Sequence, residues 1–130
     1  MRKISFLLVL LLLCFAAITI YSCSDKNIDI TVVGAIEHGP MQPTVNSIND
    51  VFSNYNNRII VHWLSFDSAE GQQFMKKNGL TAHLNILING KYRYHINGKE
   101  VVFQWFEGQS WTREDLDSVI RDLLQNKKIK

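Results

Sequence analysis

The side chains of this sequence best equipped for chemistry stand together at Glu37-His38-Gly39-Pro40-Met41. His38 brings an imidazole that can carry a proton near neutral pH or bind a metal. Met41 brings a soft thioether, and imidazole with thioether suits a soft copper ion. Glu37 could act as a general base or orient His38. Each also has a plainer role: Met41 packing against a sheet, His38 exposed in a loop and capping a helix start, Glu37 as a solvated carboxylate. Between them, Gly39 permits a tight turn. Pro40 presets the first helical dihedral and forgoes an N–H that would be unpaired anyway.

The other histidines carry less. His62 alternates with Val61 and Trp63, which places it in the core or at its rim, and His95 falls in a polar hairpin and is exposed. Trp63, Trp105, Trp111, Phe103 and Phe106 form an aromatic-rich set. Strand alternation puts Phe103 and Trp105 on one face, with Val102, Gln104 and Phe106 on the other. Most of this set is core, and a tryptophan left outside becomes a contact for a partner.

The cysteines are Cys14 and Cys23 alone, so nothing between Ser24 and Lys130 can do thiol chemistry. Both stand in or beside an N-terminal segment with a basic start, Arg2-Lys3, and an almost unbroken apolar run from Ile4 to Tyr21. This is the layout of an export signal. Ser22-Cys23 at its end resembles the lipobox of bacterial lipoproteins, in which the cysteine receives a diacylglycerol and becomes the mature N-terminus. Leu13 is too large for Cys14 to compete. An uncleaved membrane helix is the alternative, since Ile4 to Ser22 is just long enough to span. Either way the remainder lies outside the cytoplasm, tethered to a membrane. The expected organisation is a signal over 1–22, a short polar tether over 23–29 and one domain over 30–130. Losing Arg2 and Lys3 with the signal takes the 14 basic residues to 12, balancing the 12 acidic ones. A neutral domain without a basic run has no electrostatic footprint for nucleic acid.

The elements follow from pattern. Ile30-Thr31-Val32-Val33 predicts a buried first strand. Val45, Ile48, Val51, Phe52 and Tyr55 recur at helical spacing after Pro43, with Asn56-Asn57 closing the helix. Arg58 to Phe66 predicts a second strand. Ser68 caps a second helix that stops at Asn78-Gly79, and Leu84 to Ile88 predicts a third strand. Asn89-Gly90 and Asn97-Gly98 bracket an extra hairpin. Thr112 and Asp115 form a capping box, Trp111 staples onto Leu116, and Leu116, Val119, Ile120, Leu123 and Leu124 make one apolar stripe. Strands alternating with helices in this order predict an α/β fold, a mixed central sheet flanked by helices.

This order, with Gly39-Pro40 between first strand and first helix, resembles the thioredoxin fold over roughly 30 to 125. "TVVGAIEHGPM" lines up without a gap on the family's strand and active loop, with His38 and Met41 on its two cysteine positions. "GLTAHLNILING" resembles the third-strand approach, with Leu84 at the family's cis-proline position and His83 before it. "FEG" resembles the glycine after the fourth strand, and "KYRYHING" is an added hairpin.

The resemblance implies a domain that has lost thiol–disulfide exchange, which needs a thiolate and a resolving thiol. A cis bond before Leu84 would cost about 2.5–4 kcal/mol, so a trans bond is expected. It also implies that Glu37, His38, Gly39, Pro40, Met41, His83 and Leu84 share a face. The leading functional expectation is non-catalytic, with no cofactor: a lipid-anchored module that binds a protein or extended peptide at that face. The alternatives are a copper-binding or copper-delivering protein using His38, Met41 and His83, and an enzyme using Glu37 and His38 as an acid–base pair.

Overall fold

The computed structural model describes residues 27–126. The expected export signal, Cys23 and most of the expected tether fall outside the described residues. The described chain is a mixed α/β structure whose organising element is β1 (Ile28–Gly34). Its β-branched residues are buried at alternate positions and then continuously toward its end, as a central strand requires. β2 (Ile59–Ser65) pairs with β1 in parallel from Ile28↔Ile59 to Gly34↔Ser65. β3 (Leu84–Ile88) pairs antiparallel from Ile30↔Ile88 to Gly34↔Leu84, giving the sheet order β2-β1-β3. All five β3 residues are buried. Buried Asn85 is satisfied: its Nδ2 donates to Ala82 O at 3.0 Å and its Oδ1 accepts from Gln104 Nε2 at 2.8 Å.

The parallel pair requires a crossover, supplied by a 3-10 turn over Gly39–Met41 and by α1 (Gln42–Ser53). Thr44, Ile48, Val51 and Phe52 are its buried face. Tyr55, expected as its last apolar contact, is buried just beyond the helix, and its hydroxyl donates to Asp117 Oδ1 at 2.6 Å. α2 (Ala69–Asn78) starts at Ser68, whose Oγ accepts from Gly71 N at 3.0 Å, and stops at Gly79 with φ of 63°.

After β3 the chain turns through Asn89-Gly90 and enters the hairpin β4 (Arg93–Ile96) and β5 (Lys99–Val102), joined by Asn97-Gly98. All four turn residues have positive φ, the reason for Asn-Gly there. Beyond β5 the chain returns to β3: Ile86 N donates to Phe103 O and Trp105 N donates to Leu84 O, both at 3.0 Å. Tyr94 in the hairpin donates its hydroxyl to Ile88 O at 2.5 Å, and burial pushes its phenol up to about 12.

α3 (Arg113–Asn126) opens on the expected capping box: Thr112 N donates to Asp115 Oδ2 and Asp115 N donates to Thr112 Oγ1. Burial alone would raise the Asp115 carboxyl. Hydrogen bonds from Lys99 and from the Thr112 backbone and hydroxyl outweigh it and hold the group below the ordinary carboxylate value. Leu116, Val119, Ile120 and Leu124 are buried with Ile30, Val32, Ile86, Ile88 and Phe103 in the main core, which α1 also covers. On the opposite face of the sheet, Val33, Leu80 and Leu87 pack with Leu64, Phe74 and Met75, the last two from α2. Each fully buried Leu, Ile or Val contributes about 1.5–3 kcal/mol.

Candidate functional site

Because β1 and β2 are parallel and β3 runs against them, the loops following β1 and β2 and the one preceding β3 meet at one end of the sheet. Ala35 N donates to His83 O at 2.7 Å, and Phe66 N donates to Gly34 O at 2.9 Å. These bonds stitch the loop carrying His38 to both its neighbours. Gly34 is where the close approach occurs: a Cβ there would lie 2.2 Å from His83 O.

The loop itself is relaxed. His38 N donates to Ala35 O at 3.0 Å and Met41 N donates to His38 O at 2.9 Å, forming the turn that launches α1. Pro40 stands in its first positions, where the absent N–H costs little. Gly39 is not sterically required: φ is not positive, and nothing lies within 4 Å of an added Cβ. Met41 is 2% exposed and belongs to the main core.

His38 makes no side-chain cap, contrary to the simplest expectation for it. Its Nε2 instead stands 3.0 Å from Asp67 Oδ2, and its ring meets the edge of Phe66 at 5.4 Å. Glu37 is exposed, so the carboxylate orienting His38 comes from the loop after β2 rather than from the neighbouring residue. Both members of the pair are about half exposed, which makes it a weak, hydrated contact.

On the other flank, His83 is exposed, Leu84 is fully buried, and every described peptide bond, including the one between them, is trans. The His83 ring meets Trp105 at 5.5 Å with planes inclined at 68°. Trp105 was expected to share a face with Phe103. Phe103 is buried, whereas Trp105 is 42% exposed, because the extended run ends at Gln104 and Trp105 turns to φ of 67°. For a bulky residue that left-handed conformation costs on the order of 1–2 kcal/mol. Two bonds hold it: Trp105 N to Leu84 O, and buried Trp111 Nε1 donating to Trp105 O at 3.4 Å.

The end of the sheet is therefore a continuous surface from Trp105 across His83 to the loop at 35–41 and on to Asp67. His38 and His83 lie within it but address different partners, while Met41 is withdrawn into the core. Among the described residues no group of three or more His, Cys, Asp or Glu is arranged to hold a metal ion. His62, placed in the core or its rim by alternation, is exposed and lies 3.7 Å from Asp29 at the opposite end of the sheet. His95 is exposed on β4. Asp67 and Phe66 escaped sequence reasoning. The signal that could have found them is the parallel pairing of the first two strands, which sets their following loops side by side. No helix among the described residues is long and apolar enough to cross a membrane. No protein-family model matches the chain, and no curated protein matches it in sequence.

Proposed function

We propose that this chain is an envelope lipoprotein, anchored through Cys23, whose thioredoxin-like domain has no thiol redox activity and binds a protein or extended peptide. The sheet order and the mixed strand directions are compatible with that fold, and the absence of cysteine after Cys23 supports the loss of redox chemistry. The binding face comprises Glu37 to Pro40 and His83 at the end of the sheet, together with Trp105; Met41 and Leu84, expected on the same face, are buried beneath it.

One observation carries the reading: a large aromatic held in a costly backbone conformation and left in solvent beside His83. Backbone strain of this kind persists where surrounding structure enforces it and concentrates at functional sites. Exposed tryptophans are strong anchors in interfaces, since they bury large apolar area at small entropic cost.

The test is a photo-crosslinking amino acid placed at Trp105 in the membrane-anchored protein, in its native envelope. A discrete crosslinked protein, absent when the same group is placed at Gln72 on α2, is the expected result. Identical patterns from both positions would refute the assignment. Trp105→Asn provides the partner control. Asparagine tolerates the left-handed region, so relief of strain offsets the lost ring contact, about 0.5–1.5 kcal/mol for an aromatic pair. Stability should change by less than about 1 kcal/mol, while capture by a crosslinking group placed instead at exposed Glu37 is lost.

A further inference from the structure

We propose that the opposite end of the domain, built from Asn56 to Arg58 and Asn89 to Lys91, is a second interaction surface that rests on anionic lipid headgroups. The proposal builds on the lipid anchor at Cys23. The chain emerges at Ile28, which pairs with Ile59, while Asn89 N donates to Asp29 O at 2.7 Å. The segments 56–58 and 89–91 therefore flank the point where the tether joins the fold.

Covalent geometry limits the possible poses. Four residues separate Cys23 from Ile28, so the two are at most about 18 Å apart in any conformation. β1 spans seven residues, about 20 Å, and leads directly away from the tether to Gly34 and the candidate site. Standing the domain on its site end would lift Ile28 by that length plus the depth of the loops, beyond the tether's reach.

Charge adds to that limit at the tether end. Arg58 and Lys91 are exposed, and neither has an ion-pair partner among the described residues. Arg58 lies over the Tyr55 ring at 6.0 Å. Near the tether, Asp29 has His62 beside it. At the site end Asp67 is likewise paired, with His38, while Glu37 is exposed without an ion-pair partner among the described residues. A basic side chain close to an anionic membrane gains about 1 kcal/mol. In this pose the Trp105–His83 face points into the envelope space, open to a protein and held away from lipid.

The experiment uses the lipidated full chain in phosphatidylcholine–phosphatidylglycerol vesicles carrying a headgroup-attached quencher. The mature chain has no cysteine beyond Cys23, so Asn57→Cys and Gln109→Cys each accept a single dye. The dye at 57 should be quenched several times more strongly than the dye at 109, and Arg58→Glu with Lys91→Glu should remove most of that difference. Equal or reversed quenching on protein that floats with the vesicles would overturn the orientation and leave the anchor standing. Protein that fails to float would overturn the anchor and the orientation together. A full difference surviving in the double variant would overturn the contact with anionic headgroups. None of these outcomes depends on the crosslinking at Trp105, so the partner reading fails or stands separately.

Discussion

Gly34→Ala should be the most damaging single-methyl change at the candidate site. The added Cβ would meet His83 O at 2.2 Å, Leu84 Cα at 2.7 Å and His83 C at 3.0 Å. All three are backbone atoms, so no side chain can swing aside. Relief requires β3 to withdraw from β1 by roughly an ångström, against ordinary carbon contacts near 3.5–4 Å. That movement strains the Gly34↔Leu84 pairing and the 2.7 Å bond from Ala35 N to His83 O. Overpacking of a tight site costs about 1–3 kcal/mol, and a lost hydrogen bond adds about 1 kcal/mol. The expected total is about 2–4 kcal/mol, which for a domain of this size lowers Tm by on the order of 10–25 °C. Chemical and thermal denaturation followed by circular dichroism measure it. Gly39→Ala is the matched control five residues away. With open space and ordinary φ, it should be neutral or stabilise by about 0.4–1 kcal/mol through the unfolded chain. If Gly34→Ala melts like wild type, the close approach of β3 to β1 does not exist as described, and the continuity of the site surface fails with it.

The remaining predictions concern the capping box, the hairpin and the loop chemistry. Asp115 has a depressed carboxyl in the folded state, so its stabilisation is complete above the unfolded value near 3.8 and is lost as pH falls through the folded one. Asp115→Asn should therefore cost about 1–2 kcal/mol at neutral pH, with the gap to wild type closing in denaturation curves taken below about pH 4. Tyr94 is shifted the other way, so its contribution is intact below 10 and is lost as pH rises through about 12. An absorbance titration should show one phenol ionising near 12 that disappears in Tyr94→Phe, a variant costing about 1 kcal/mol for the lost bond to Ile88 O. Met41→Leu conserves core volume and should cost less than about 1.5 kcal/mol. Anaerobic titration with Cu(I) should show no stoichiometric binding by wild type, whereas binding abolished by both Met41→Leu and His83→Ala would install copper in place of the peptide-binding reading.

Periodicity and turn chemistry carried much of the fold into view before any coordinates. Ser68, Gly79, the two Asn-Gly pairs and the Thr112–Asp115 box are local devices, each satisfied within a few residues, so the chain displays them directly. The third strand was legible for a different reason: five consecutive positions are buried, and its apolar run is interrupted only by Asn85. The site was less legible because its contacts join segments far apart in sequence. His38 and Asp67 meet 29 residues apart, and alternation through Phe103 could not foresee that β5 closes at Val102 and that extended pairing ends with the isolated bridge at Gln104. Burial of Met41 agrees with its plainer reading, packing against the sheet, and removes it from the face its loop was expected to present.

Strain and relaxation divide the site in a way that bears on what it does. At Gly39-Pro40-Met41, each residue occupies a conformation its own chemistry permits, and the buried thioether adds core contacts rather than an open ligand. The backbone of a loop in that condition is explained by folding alone. Trp105 is the opposite: a smaller or more permissive residue would sit there at lower cost, and nothing in the core needs a ring that is 42% exposed. Sequences agree with their folds nearly everywhere, and a local conflict that survives marks a demand other than stability. The conflict lies one ring contact from His83 and one backbone bond from Leu84. The residue under strain at this end of the sheet is thus on the aromatic flank beside the loop that first draws attention, and it is there that the proposed binding reading stands or falls.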